Sequence, residues 1–230
     1  MFHPRLSAAV LLTALSISGC AEPDWTLIDN PLTAEQRALY FVDTVDTTVA
    51  SDATINWETA YPRLAEEAGL DADDPLVVAR FADSPAGKAA LRALVADGLQ
   101  TVLAPRLKDA LGTGSKPAFL AFQLQAVRVV SPGQQIVVGG GLHGIAGAVQ
   151  IYDGVTGEKL SWAQLLAVGI PAGSGIVGAM ADQQAGPAYT RLLTGFAPHL
   201  KGWVGASHPI TLYGEKVKTP VPDLPGPRGV

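Results

Sequence analysis

The residues most suggestive of chemistry are the glycine run GGGLHG at residues 139–144. Its spacing satisfies the dinucleotide-binding pattern G-x-G-x-x-G, and Glu158 lies nineteen residues beyond the first glycine, where such sites place a ribose-binding acid. That chemistry requires a helix to begin in the loop, so that its first amides face the pyrophosphate. Residues 145–152 instead have the composition of a strand. We therefore interpret the glycines as part of a bulged or closely packed strand and predict no nucleotide cofactor.

Two further motifs and three histidines bear on phosphate binding or nucleophilic catalysis. The segment GTGSK at residues 112–116 has the composition of a phosphate-binding loop, but its Ser precedes its Lys, which favours a helix stop. The glycines that directly flank Ser174 do not match the nucleophile elbow G-x-S-x-G. No histidine has Ser and Asp partners at a spacing that defines a triad. His143, in the glycine run, is the one candidate, whereas His199 is predicted at a helix surface and His208 in the tail.

Metal binding is not predicted from the ligand spacing. Asp71, Asp73 and Asp74 form an acidic triplet, but the residues after it lack the further oxygen ligands, the glycine and the closing Glu of a calcium loop. We interpret Asp74 as the N-cap of a short helix that begins at Pro75. The single cysteine and the spacing of the later histidines do not match a zinc site. We therefore predict no metal and no catalytic residue.

The single cysteine, Cys20, follows a segment that is organised like an export signal. Residues 1–5 are basic, and residues 6–17 carry no charge. As a helix these apolar residues rise about 18 Å, against a hydrocarbon core of roughly 30 Å. A secretory signal therefore fits better than a permanent transmembrane helix. The four residues at its end resemble the lipobox of bacterial lipoproteins: Ile17-Ser18-Gly19-Cys20.

The resemblance to bacterial lipoproteins implies cleavage between Gly19 and Cys20 and acylation of the Cys20 sulfur. It also implies a lipid-anchored domain outside the cytoplasm. Ala21 stands where an Asp would retain a lipoprotein in the inner membrane, which implies the outer membrane, facing the periplasm. A lone thiol in an exported protein has no internal disulfide partner, and lipidation explains its presence. The alternative is an ordinary signal peptide followed by an incidental cysteine.

Composition divides the rest of the chain and limits its partners. The formal net charge of −5 is a poor match for nucleic acid. No later apolar run is long enough to predict a transmembrane helix. Residues 1–19 are predicted to be the signal peptide, residues 20–36 a tether, residues 37–204 a single domain, and residues 205–230 a flexible tail rich in Pro and Gly.

Periodicity within residues 37–204 predicts elements in the order β-α-β-β-β-α. The predicted strands cover residues 38–50, 118–130 with a bulge near 126–127, 134–138 with a continuation at 145–152, and 158–168. The predicted helices cover residues 56–69, 85–111 and 187–204. We expect an interruption at Pro62, a kink at Pro105 and a kink or split at Pro198. This order predicts an α+β fold with a largely antiparallel sheet of about four strands, covered by long amphipathic helices.

The predicted hairpin at Asp153, Thr156 and Gly157, together with the element order, resembles small periplasmic lipoprotein domains. These include domains related to the amino-terminal domain of TolB and to the curli-secretion lipoprotein. The resemblance implies envelope assembly or transport support. We therefore predict a non-enzymatic envelope lipoprotein that binds another protein. Two alternatives stay open: a ligand or lipid carrier that assists a transporter, with an apolar pocket under the long helix, and a periplasmic hydrolase centred on His143.

Overall fold

A four-stranded sheet forms the centre of the fold. The structure is a computed structural model, and it describes residues 25–28, 31–138, 141–173, 175–184, 187–205, 210–213 and 222–227. The strands are β1 (Trp25–Ile28), β2 (Tyr40–Asn56), β3 (Lys116–Arg128), β4 (Gly141–Asp153), β5 (Gln164–Ala172) and β6 (Ile210–Tyr213). In the central sheet β2 and β3 pair in parallel, whereas β3, β4 and β5 pair antiparallel in that order. The predicted α+β class and the largely antiparallel sheet of about four strands are confirmed.

Eight α-helices are described along the chain. They are α1 (Ala34–Leu39), α2 (Tyr61–Glu67), α3 (Pro75–Asp83), α4 (Pro85–Gly98), α5 (Ala104–Leu107), α6 (Pro132–Val138), α7 (Gly175–Gln184) and α8 (Ala188–Gly205). Two of the predicted helix starts are confirmed in detail. Asp74 accepts a hydrogen bond from the Leu76 amide at the start of α3, and Ser84 accepts one from the Gly87 amide at the start of α4.

The core lies between α4, α5 and α8 and one face of the sheet, which we call the inner face. Alternate residues of β3 point into it, and Leu120, Phe122 and Leu124 are buried. Gly147 on β4 lies opposite, where a Cβ atom would come within 2.3 Å of the Phe122 ring. The apolar stripe predicted for the last helix is buried there: Tyr189, Leu192, Leu193, Phe196, Leu200 and Trp203. That helix, α8, continues through Pro198, so of the two predicted effects, a kink or a split, the split is absent.

The predicted helix at residues 85–111 is interrupted one turn before its proline. Between α4 and α5 lies a π-helical segment, Leu99–Leu103, and the helix ends at Leu107. In a regular helix the Pro105 ring would meet the carbonyl group of Thr101. Thr101 lies in the π segment, whose wider turn relieves that clash. The expectation of a distortion at Pro105 is thus confirmed.

The predicted strand at residues 134–138 is wrong, because these residues belong to α6. The side chain and carbonyl group of Ser131 accept hydrogen bonds from the Gln134 and Gln135 amides, and Pro132 occupies the first helical position. These start signals outweigh the β-branched residues that follow. β5 begins at Gln164, whereas the sequence predicted this strand from residue 158. A single β-bridge, between Lys159 and Tyr152, precedes it.

The predicted tether and the predicted tail, which flank the domain, both contain a strand. β1 lies within the predicted tether and pairs with β6, within the predicted tail. Leu32 is buried in the core, and Thr33 caps α1. Residues 222–227 lie against the other face of the sheet, which we call the outer face, and Leu224 is buried there. The pairing of β1 with β6 and the burial of Leu32 and Leu224 therefore lie outside the bounds predicted for the domain.

Several sequence predictions fall outside the described residues. These include the signal peptide, the lipobox with Cys20, the first two glycines of the glycine run, Ser174 and His208. Among the described residues, no helix combines the length and the hydropathy that crossing a bilayer requires.

Candidate functional site

The second half of the glycine run forms the start of β4, and its histidine is buried. Gly141 adopts φ 155°, and a Cβ atom there would lie 3.2 Å from the Val130 side chain. The amide of Val130, just after β3, donates a hydrogen bond of 3.1 Å to Nδ1 of His143. The interpretation of these glycines as part of a strand is confirmed. The helix that a pyrophosphate site needs does not begin here, and Glu158 is exposed in the turn after β4.

His143 lines a hollow of about 540 Å³ on the inner side of the sheet end, which we call the His143 hollow. Its walls include Trp57, Gln135 and Arg191. His143 and Gln135 are buried, and Arg191 is half-buried. The described lining contains no Ser, Cys, Asp or Glu. This arrangement can donate and accept hydrogen bonds and supply a positive charge, and Thr59 adds a hydroxyl group to the lining.

A second hollow, of about 550 Å³, lies on the outer face of the sheet, and we call it the outer hollow. Small side chains on neighbouring strands form its floor: Ala126, Gly144, Ala146, Ala167 and Gly169. Leu142 and Pro171 add apolar surface, and Arg128 and Asn56 add polar groups. The outer hollow is therefore mainly apolar, with one permanent positive charge among its lining residues. The outer hollow lies on the face of the sheet opposite the long helices. The ligand-carrier alternative predicted an apolar pocket beneath those helices.

Exposed apolar side chains concentrate at the same end of the sheet. α6 leads into β4, and α7 follows β5, so both helices extend beyond this end and contact one another. The apolar end, as we call it, consists of five exposed side chains: Ile136, Leu142, Ile176, Val177 and Met180. Val177 is the most exposed of the five, at 81%.

The two sequence segments that supply the five side chains of the apolar end contain no ionised residue, although Arg128 lines the outer hollow with Leu142 and Asp182 follows in α7. Residues 129–152 and 160–181 contain no Asp, Glu, Lys or Arg. These two segments supply α6, β4, β5 and most of α7. An exposed apolar cluster without charge is the composition of a surface that another molecule covers, because charged residues are depleted in the centre of interfaces.

The other predicted positions are consistent with structural roles. His199 is exposed on α8, as predicted. The segment 112–116 lies between α5 and β3, and no helix follows it to bind a phosphate. The described residues contain no group of three or more His, Cys, Asp or Glu that could hold a metal ion.

The apolar end was not predicted from the sequence. Residues 169–186 are rich in Gly and Ala, and their composition does not distinguish a strand from a helix. Exposure depends on tertiary packing, which periodicity does not show for so uniform a segment. The available signal was the absence of charge from two long segments of a chain in which 16% of residues are charged.

Comparison with known proteins gives little support for any family. No family model matches the sequence, and no curated protein matches it. The crystal structure of a Xanthomonas campestris protein described by the family model DUF330 is 13% identical, with a TM-score of 0.31. The alignment covers 78% of this chain and 91% of that chain. At this TM-score the likeness establishes neither fold nor function.

Proposed function

We propose that this chain is a membrane-anchored envelope lipoprotein that binds another protein through the apolar end and has no catalytic activity of its own. The observation that carries the proposal is the group of exposed, uncharged apolar side chains on α6 and α7. Exposed patches of this kind mark interaction sites in soluble domains. The lipobox-like residues ending at Cys20 support the membrane anchor.

The surroundings of His143 favour binding over hydrolysis. The imidazole accepts a backbone amide through Nδ1 and is buried between the end of β3 and β4. In a Ser-His-Asp triad Nδ1 carries a proton and donates a hydrogen bond to the acid, whereas Nδ1 of His143 accepts the Val130 amide. This hydrogen bond supports a structural role for His143.

Crosslinking of the lipidated full chain in native membranes tests the interaction. Val177→Asp places a charge in the middle of the apolar end, and we expect it to remove most of the crosslinked partner. Leu76→Asp is the matched control, because Leu76 on α3 is also exposed, at 65%, but lies on another helix. Equal crosslinking by the two variants would contradict the assignment of the apolar end as the binding surface.

A second candidate function is that of a lipid or ligand carrier that assists a transporter, and the outer hollow favours it. A mainly apolar hollow of about 550 Å³ has the size of known small-molecule sites. Mass spectrometry of the purified protein would then detect a bound lipid. Ala167→Trp, which fills the floor of the outer hollow, would remove that lipid while leaving partner crosslinking unchanged.

A further inference from the structure

Residues 222–227 occupy a well-defined position on the outer face of the sheet. The Leu224 side chain is buried against Ala121, Ala148 and the ring of Tyr152. The rings of Phe119 and Tyr152 meet edge to face, with centroids 6.1 Å apart, and form one wall of this position. Two alanines at the floor leave the space that the leucine side chain fills.

The backbone of this segment is recognised by a buried amide side chain. Gln150 on β4 is fully buried. Its Oε1 accepts the Leu224 amide at 2.8 Å, and its Nε2 donates to Asp223 at 2.9 Å and to the Ser161 carbonyl group at 3.1 Å. The Tyr152 hydroxyl donates to the Leu224 carbonyl group. Burial of the Gln150 side-chain amide costs free energy unless its oxygen and nitrogen have hydrogen-bond partners. The segment supplies such partners through the Leu224 amide and the Asp223 carboxylate.

An ion pair gives this position on the sheet face a preference for an acidic side chain. Lys159 forms an ion pair with Asp223. This contact and the Gln150 hydrogen bond lower the pKa of Asp223 below its ordinary value. Both Lys159 and Asp223 are about half-exposed, so the pair favours an acid at this position without holding the segment alone.

We propose that the outer face of β3 and β4 is a peptide-binding site for a segment that carries Asp followed by Leu, which the chain's own residues 222–227 occupy. The ligand class follows from the contacts: an acidic side chain for Lys159 and Gln150, and a leucine for the alanine-floored pocket. A peptide of this sequence supplied by another molecule takes the same position once the chain's own segment leaves. This site is separate from the apolar end and does not depend on lipid at Cys20.

Covalent connection explains why the chain's own segment occupies the site. Eight residues join the end of β6 at Tyr213 to Pro222. A short connection of this kind gives an effective concentration in the millimolar range. A free peptide therefore competes poorly with the tethered segment of the wild-type chain. A partner peptide binds only when it displaces that segment from the site.

Titration of a labelled peptide with the sequence of residues 221–227 tests the proposal. In the full-length double variant Asp223→Lys, Leu224→Asp, the chain's own segment no longer fits. We expect this variant to bind the peptide saturably and at least tenfold more tightly than the wild-type chain does. The control peptide carries Leu224→Asp and should not bind. A folded variant that ignores the peptide at millimolar concentration, or binds both peptides equally, would overturn the proposal.

A charge swap at the exposed Lys159 gives a second test that leaves the core unchanged. In the full-length chain, Lys159→Glu should accelerate hydrogen exchange of the Leu224 amide about threefold to tenfold, because the ion pair with Asp223 becomes a repulsion. Adding Asp223→Lys should reverse part of that acceleration, because the ion pair returns with its charges exchanged while the Gln150 amide loses its acceptor on residue 223. If the Leu224 amide of the wild-type chain exchanges as fast as that of the free peptide, the segment is not bound and the proposal fails.

Discussion

A single carboxylate holds the end of β4 to the start of β2. Asp153 accepts hydrogen bonds from the Tyr40 hydroxyl at 2.8 Å and from the Val155 and Thr156 amides at 2.8 and 2.9 Å. These donors, the Thr156 amide first among them, lower the pKa of Asp153 to about 2. Burial and the neighbouring Asp153 carboxylate raise the pKa of Tyr40. The pair fixes the turn that leads from β4 towards β5.

Replacing Asp153 should destabilise the fold and change its response to acid. We expect Asp153→Ala to lower the free energy of unfolding at pH 7 by about 1–3 kcal/mol, because the buried Tyr40 hydroxyl and two amides lose their acceptor. The folded pKa lies below the unfolded value, so this stabilisation is present above pH 4 and declines as the pH falls towards 2. Urea denaturation at pH 7, 4, 3 and 2.5 measures both effects.

The control for Asp153 is Asp52, which is exposed on β2. Asp52→Ala should change the free energy of unfolding by less than about 0.5 kcal/mol. If wild type and Asp153→Ala lose stability in parallel between pH 4 and 2.5, the depressed pKa of Asp153 is not a source of acid sensitivity.

His143 gives a second prediction about a single residue. We expect His143→Phe to cost roughly 1–3 kcal/mol, since the Val130 amide then loses its acceptor in a buried place. His143→Asn keeps an acceptor and should recover part of that loss. Thermal and urea denaturation compare the variants. A phenylalanine variant as stable as the wild type would show that this hydrogen bond contributes nothing to the fold.

At the level of elements, the spacing of buried residues explains the π segment. Leu91, Val95, Leu99, Leu103 and Leu107 recur every four residues, and all are buried. In a regular helix, positions four apart are offset by ~40°, so the five would drift by ~160° around the axis. A π-helical turn rotates less per residue and reverses part of that drift. The segment therefore keeps the stripe from Val95 to Leu107 in the sheet core while also accommodating Pro105, whereas Leu91 packs against α2 and α3.

Truncation within the π segment should show that its side chains are part of the core. Leu103 is fully buried, and we expect Leu103→Ala to cost about 2–5 kcal/mol. Leu76→Ala, at an exposed position of α3, should cost less than about 0.5 kcal/mol. Similar losses for both variants in urea denaturation would mean that the π segment does not pack as described.

Local signals predicted the elements that have strong periodicity or clear caps. Three kinds of local signal were sufficient to predict an element: the apolar stripe of α8, the helix caps at Asp74 and Ser84, and the alternation of buried residues in β3. The bulge predicted near residues 126–127 corresponds to a register shift between Leu124 and Ala126. The prediction of a strand at residues 134–138 was wrong, because their strand-like composition competes with the helix start signals at Ser131 and Pro132. The pairing of β1 with β6 depends on contacts between distant parts of the chain, which no local pattern contains.

The candidate surfaces were less predictable than the elements. His143 was the histidine singled out from the sequence, but its burial and its donor, the Val130 amide, depend on the register of β3 and β4. The apolar end depends on α6 and α7 meeting at one end of the sheet. Leu224 lay in a segment whose composition is typical of disorder, and its binding depends on a pocket made by other strands.

At the level of the whole molecule, the membrane anchor can be tested by fractionation. We expect Cys20→Ser to move the full chain from the membrane to the soluble fraction, because the sulfur that would carry the lipid is gone. Ala21→Asp is the matched variant: it keeps the sulfur and should shift the chain towards the inner membrane on a density gradient. A serine variant that stays with membranes, or a mature protein that still begins at Met1, would contradict the anchor.

The position of β1 sets how far the domain can stand from a bilayer. β1 begins at Trp25, five residues after Cys20, and its pairing with β6 fixes that point of the chain to the folded body. Five extended residues span at most about 18 Å. If Cys20 carries lipid, as proposed, this length keeps β1 within about 18 Å of the anchored residue, and the proposed partner of the apolar end would meet the domain close to the lipid headgroups.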